Sequence, residues 1–133
     1  MEYSVRDYAV HSDTEGALIA IETEKEIPFE IKRVYYVYNT LRHSVRGRHS
    51  HKVLEQVIFC PVGSCDFTLD DGKTRVTIPL DKPNRGLYIK GNIWREFTNF
   101  SENCVVVVLA STHYSEADYI RNYDEFLDSL KAG

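Results

Sequence analysis

His49 and His51 stand two residues apart in Arg46-Gly47-Arg48-His49-Ser50-His51, a stretch that continues as Lys52-Val53-Leu54-Glu55-Gln56. In an extended strand that spacing puts both imidazoles on one face and Ser50 on the other. Paired imidazoles suit metal ligation or proton transfer, because histidine titrates near neutral pH and carries a free lone pair when neutral. A polar strand end with two solvated histidines has the same spacing, so the choice between readings falls to the surrounding elements.

Those elements are strands. The 133 residues make one domain, 1–133, large enough for a real core. The net charge of -4 offers no electrostatic case for nucleic acid, and no block of basic residues suggests an anionic membrane. The N-terminus lacks the charged-then-apolar order of a signal peptide. The longest apolar run, 105–110, is far too short to span a bilayer. Cys60, Cys65 and Cys104 are odd in number with no C-x-x-C pair, which reads as buried free thiols in a reducing, cytoplasmic compartment.

Residues 17–22 read as a first strand. Residues 31–38 are rich in β-branched and aromatic types, and their alternation puts Arg33, Tyr35 and Val37 on one face and Val34, Tyr36 and Tyr38 on the other. One of these faces is expected to line a cavity. Residues 56–60 form a short apolar strand, and 64–69 and 74–80 flank the hairpin signal Asp70-Asp71-Gly72-Lys73. Residues 87–90 and 93–97 follow, and 105–110 suit a strand buried on both faces. Ser115 before Glu116 and Asp118 has the form of an N-cap. Tyr119, Ile120, Tyr123, Phe126, Leu127 and Leu130 then recur at helical spacing, which predicts a helix over 115–130 breaking near Asn122. The sum is an all-β antiparallel barrel or jelly roll with a short C-terminal helix.

In that context His49-x-His51-x-x-x-Glu55 is similar to the first cupin motif, whose histidines and glutamate hold a metal inside a β-barrel. The second motif should supply another histidine within residues 91–99, but Trp94 and Arg95 stand at its candidate positions. A guanidinium has no lone pair for a metal, and its charge opposes a divalent cation. The expectation is therefore no metal and no cofactor. His49 and His51 would do proton chemistry beside Arg46 and Arg95, whose charge keeps them neutral and stabilises an enolate oxygen. A base and a cationic clamp point to proton abstraction next to a carbonyl, with Tyr35 as an acid or as a holder of a hydroxyl.

The chain resembles the dTDP-4-oxo-6-deoxyglucose 3,4-ketoisomerases of the cupin superfamily over nearly its whole length. The resemblance rests on residues 16–22, 31–36, 46–56, 69–72, 86–89, 109–111 and 118–124. The Arg-Gly-x-His fragment is also similar to the related 3,5-epimerases. The resemblance implies a cupin-type barrel that moves the ketone of a dTDP-linked 4-oxo-6-deoxyhexose from C4 to C3 through an enediol. An aminotransferase would follow, toward lipopolysaccharide or an S-layer glycan. His49 would be the carbon base, with His51 moving a proton between oxygens or back to carbon. Arg33 and Arg46 would bind ligand, and Tyr35 would line the sugar pocket. It also implies a homodimer in which the arm 1–30 is exchanged. Some relatives carry His where this chain has Arg95, and Glu15 occupies a variable position beside the site. Both bear on the face of reprotonation, hence on gluco or galacto product, and gluco is the expectation. A 3,5-epimerase, a non-catalytic sugar-binding cupin and a metal-dependent dioxygenase are the rival readings.

Overall fold

Nine strands, most with alternating apolar positions, and a two-residue strand near the C-terminus form two antiparallel layers that share one interior. In the computed structural model, which describes residues 1–131, the order is β1 (Glu2–Asp7), β2 (His11–Asp13), β3 (Gly16–Leu18), β4 (Arg33–Val37), β5 (Arg46–His51), β6 (Glu55–Val62), β7 (Cys65–Asp70), β8 (Arg75–Leu80), β9 (Arg85–Lys90), β10 (Trp94–Thr98), β11 (Val105–Ala110), a 3-10 turn (Glu116–Asp118), β12 (Tyr119–Ile120) and α1 (Tyr123–Lys131). One five-stranded sheet runs β1-β9-β6-β11-β4 and the other β12-β5-β10-β7-β8, the double-layer arrangement of a jelly roll. Strands β2 and β3 form a separate hairpin.

The facing sides meet in a core that includes Ile58, Phe67, Leu69, Leu87, Val106 and Val108, all fully buried. Each such side chain contributes about 1.5–3 kcal/mol of burial free energy. The outer side of the first sheet is also apolar at Val57 and Leu109, and Tyr8, Ile27 and Phe29 pack over it. That second coat explains why β11 is apolar on both faces. On β4 the alternation comes out as read: Arg33, Tyr35 and Val37 are partly buried, and Val34, Tyr36 and Tyr38 are exposed.

Two expectations need correction. Residues 17–22 are not one strand. Only Gly16–Leu18 is extended, paired with β2, and the chain beyond it leaves the hairpin so that Ile19 and Ile21 pack toward the outer apolar coat. The strand that edges the first sheet is instead β1, paired with β9 in the register Glu2↔Lys90 to Asp7↔Arg85. Nor is 115–130 one helix. Ser115 makes no side-chain cap, and Tyr119 and Ile120 pair with His51 and Ser50 of β5. The helix begins after Asn122, whose Oδ1 accepts the Glu125 N–H at 3.0 Å. Strand pairing to the histidine-bearing edge outweighs helical spacing over its first turn.

Candidate active site

β5 brings the histidines into position through a bulge. Gly47 (φ 86) and Arg48 (φ 50) are both left-handed, and the register with β10 slips between Arg95↔His49 and Glu96↔Gly47, which leaves Arg48 as the extra residue. Glycine is required at 47 on two counts. Its φ is unfavourable for other residues, and a Cβ would sit 3.1 Å from the Arg95 carbonyl oxygen. The bulge also turns the Gly47 carbonyl toward His49, whose Nδ1 donates to it at 2.9 Å.

Both imidazoles are held in the same tautomer. His51 Nδ1 lies 2.9 Å from Asp118 Oδ2, and the other Asp118 oxygen accepts the Lys52 and Val53 N–H groups at 3.0 and 2.9 Å. A carbonyl and a carboxylate only accept, so each histidine donates from Nδ1 and keeps its lone pair on Nε2. The rings meet edge to face at 4.8 Å, and Tyr119 packs against both, at 5.0 Å from His49 and 4.3 Å from His51. His51 is 0% exposed, and its Nε2 has no partner among the described residues.

Burial pushes both histidines toward the neutral form, and the Arg95 and Arg121 guanidiniums add to it, holding His49 down at about 4. His51 is lowered further, to about 2, by burial first and then by Arg95 and His49, against the pull of the Asp118 carboxylate. At neutral pH these are two uncharged bases. Burial raises the Tyr35 phenol, which therefore stays protonated.

Arg33, Tyr35, Arg46, His49, Tyr119 and Arg121 line an open cleft of about 440 Å³. Arg33 Nε is buried without a partner among the described residues. Three sequence-selected residues are not among those lining the cleft: His51 is fully buried behind it, against the His49 ring, and Arg95 and Glu15 lie elsewhere. Arg95 is 1% exposed, behind the cleft wall, and donates to the Ile93 carbonyl and to Gln56. Burial lowers it to about 10, which still leaves it charged. Glu15 is exposed at the β2–β3 turn, where Asp13 Oδ1 accepts its N–H at 2.8 Å. It is not among the residues lining the cleft.

The donor set does not fit a cupin-type metal. Glu55 is turned to the outer side of its sheet, where it accepts a hydrogen bond from Tyr88, and Arg95 takes the third position. Both Nε2 lone pairs are free, but no third His, Cys, Asp or Glu ligand joins them among the described residues, and cationic Arg33, Arg95 and Arg121 surround the pair.

The sequence reading missed Asp118, Gln56 and the rim cluster of Tyr114, Glu116 and Arg121. Asp118 is 67 residues from His51 and no spacing links them. At the rim, Arg121 lies over the Tyr119 ring at 4.2 Å and donates twice to Glu116, at 2.6 and 2.9 Å. That pairing, with Tyr114 also donating to Glu116, holds the Glu116 carboxyl down at about 2.

The FdtA family (WxcM-like, C-terminal) matches residues 1–131. A TDP-4-oxo-6-deoxy-α-D-glucose-3,4-oxoisomerase of Aneurinibacillus thermoaerophilus is 50% identical over 126 residues, 95% of this chain and 91% of that protein. The crystal structure of a 3,4-ketoisomerase from Helicobacter canadensis superposes with a TM-score of 0.96 at 49% identity, over 98% of both chains. That of the TDP-quinovose 3,4-ketoisomerase from Campylobacter jejuni gives 0.90 at 51% identity, over 95% of this chain and 97% of the other.

Proposed function

This chain belongs to the FdtA family of nucleotide-sugar 3,4-ketoisomerases, and from that premise we propose that it converts dTDP-4-oxo-6-deoxyglucose to a dTDP-3-oxo-6-deoxyhexose by metal-free acid–base catalysis. The observation that carries the reading is the pair of neutral imidazoles, each with Nε2 free of protein donors, beside a cleft whose walls carry fixed cations. His49, which lines the cleft, takes the proton from C3. The ketone oxygen at C4 gathers charge and is stabilised by the Tyr35 hydroxyl and by nearby Arg33. O4 takes up a proton to give the enediol, O3 gives one up, and C4 regains hydrogen, with His51 moving a proton between the two oxygens or back to carbon. Arg46 and Arg33 hold the diphosphate or sugar oxygens. The product takes the gluco configuration, a reading supported by the 51% identity to an enzyme named for TDP-quinovose. The enzyme works in the cytoplasm ahead of an aminotransferase, toward a lipopolysaccharide or S-layer glycan.

The same reading includes a homodimer in which the exchanged part of the arm 1–30 is the β2–β3 hairpin, since β1 pairs with β9 of its own chain. Support comes from the exposed apolar face of β4, at Val34, Tyr36 and Tyr38, and from an apolar groove of about 560 Å³ lined in part by Ile19, Val34, Phe59 and Val107. The β2–β3 hairpin is exposed on every residue, as expected of an element that docks on another copy. In that assembly Glu15 would approach the partner's cleft. Sedimentation of the wild type should give a dimer, and Tyr36→Asp should weaken it; a monomeric wild type overturns the assembly.

Incubation with dTDP-4-oxo-6-deoxyglucose in heavy water, followed by NMR, tests the activity. A ketone moved to C3 is the expected result, and hydrogen configuration at C4 reads gluco against galacto. Deuterium at C3 and C5 with the ketone unmoved would overturn the isomerase in favour of an epimerase. Binding without exchange would overturn it in favour of a sugar-binding module.

A further inference from the structure

Arg95, Gln56 and Tyr35 come from three strands, β10, β6 and β4, and make one chain of hydrogen bonds. The Arg95 Nη1 donates to Gln56 Oε1 at 2.6 Å, and Gln56 Nε2 donates to the Tyr35 hydroxyl oxygen at 3.0 Å. The direction of this chain follows from chemistry. A guanidinium carries donors and no acceptor, so the carbonyl end of the Gln56 amide has to face Arg95. The amino end is then the one that meets Tyr35. An NH2 group can only donate, so the phenol oxygen is the acceptor in that contact and its single O–H proton is free of it. Tyr35 lines the cleft, where the proton has somewhere to go.

Arg95 itself cannot reach a ligand in the cleft. Its Nε and Nη2 each donate to the Ile93 carbonyl, at 3.2 and 3.0 Å, and the side chain is buried. Yet a fully buried guanidinium is costly unless its charge is used and its donors are met. Gln56, also buried, is the one side chain among the hydrogen bonds of Arg95, and Tyr35 is the next group along.

We propose that Gln56 is a positioning residue that passes the polarity of buried Arg95 to Tyr35 and so fixes the phenol as a hydrogen-bond donor to the oxygen on which enolate charge develops. The proposal rests on the reading above that Tyr35 faces the reacting sugar. It gives Arg95 an action through two other side chains, without contact to substrate. Charge-polarised chains of this kind strengthen the terminal donor.

Gln56→Glu separates this role from simple packing. The carboxylate has nearly the same shape and still accepts from Arg95, but it offers Tyr35 only an acceptor. The phenol then turns its proton to residue 56 and away from the cleft. The expected result is a fall in kcat of about 100-fold, the usual effect of losing one oxyanion donor, with KM within a few-fold of wild type. Tyr35→Phe should show a similar loss, and the double variant should be no worse than either single one, because both remove the same donor. An additive double variant overturns the relay. So does wild-type kcat in Gln56→Glu when Tyr35→Phe is impaired, and that outcome leaves the isomerase reading intact. Full activity in Tyr35→Phe overturns both the relay and the role given to Tyr35, whereas absence of any 3-oxo product from the wild type is the separate failure of the isomerase reading. Neutron diffraction from wild-type crystals provides a test that needs no variant to fold. The Tyr35 deuteron should point away from Gln56, and a deuteron lying on the line to Gln56 overturns the proposal.

Discussion

Along β6 the molecule holds two clusters of reactive side chains that burial treats alike and chemistry does not. Near its start, Gln56 joins the histidine end of the interior; four residues on, Cys60 packs against Cys65 and Cys104, with the Cys60 and Cys104 sulfurs 3.4 Å apart. Burial favours the neutral forms of His49 and His51 in one and of Cys60 and Cys104 in the other. It lowers His49 to about 4, and it raises Cys104 to about 12, while a hydrogen bond to Cys65 and then burial raise Cys60. A neutral imidazole keeps a lone pair and remains a base. A neutral thiol is a poor nucleophile and a poor metal ligand. The same desolvation therefore arms one cluster and silences the other. The difference lies in partners: the histidines have Asp118, a carbonyl and nearby guanidiniums, and the thiols have mainly each other and the apolar core.

The contrast breaks most directly at His49. His49→Asn should lower kcat by about 1000-fold, the scale of a lost general base, with nucleotide affinity retained in calorimetry. Turnover near wild type would mean that the base lies elsewhere. Asp118→Asn comes next. An amide can present its NH2 to Nδ1, which drives the His51 proton to Nε2, and kcat should fall by about 100-fold. The NMR assay that follows ketone migration measures both.

At the other cluster Cys60→Ala should leave kcat unchanged and lower unfolding stability by about 1–2 kcal/mol through the cavity left behind, read by urea denaturation. In the native wild type the thiols should resist a labelling reagent that modifies them once the chain is unfolded. The smallest effect is in pH. Turnover should change by less than about twofold between pH 8 and 5, then fall as His49 protonates near 4. Stability shares the window. The unfolded histidines titrate at about 6.5, so between there and 4 the unfolded chain binds more protons than the folded one. The contribution is whole above 6.5 and is lost as pH falls toward 4. A kcat profile that breaks near 6.5 would show that burial does not set the histidine protonation.

The legible parts of the sequence were those in which local pattern and tertiary demand agree. Alternation in 31–38 gave the two faces of β4, the Asp-Asp-Gly-Lys turn gave the β7–β8 hairpin, and the spacing of His49 and His51 gave two rings on one side. Residues 115–122 were misread because their helical spacing is real but weaker than pairing with β5. A strand within the arm 1–30 came only from the family resemblance, because the exposed, charged residues of β1 carry no alternation that stands out and its pairing edge is supplied by β9.

By itself, the sequence determined an all-β jelly roll, the type and spacing of the two imidazoles, and a permanent cation at the position where a metal ligand would be expected. Only the tertiary structure decided that Asp118 sets the His51 tautomer, that Arg95 lies behind the cleft wall with Gln56 as its hydrogen-bond partner, and that Glu55 faces away. The reason is physical. Periodicity fixes which side of a strand a residue takes, but hydrogen-bond partners and desolvation depend on what other strands bring within about 3 Å, and those strands lie tens of residues away in the chain.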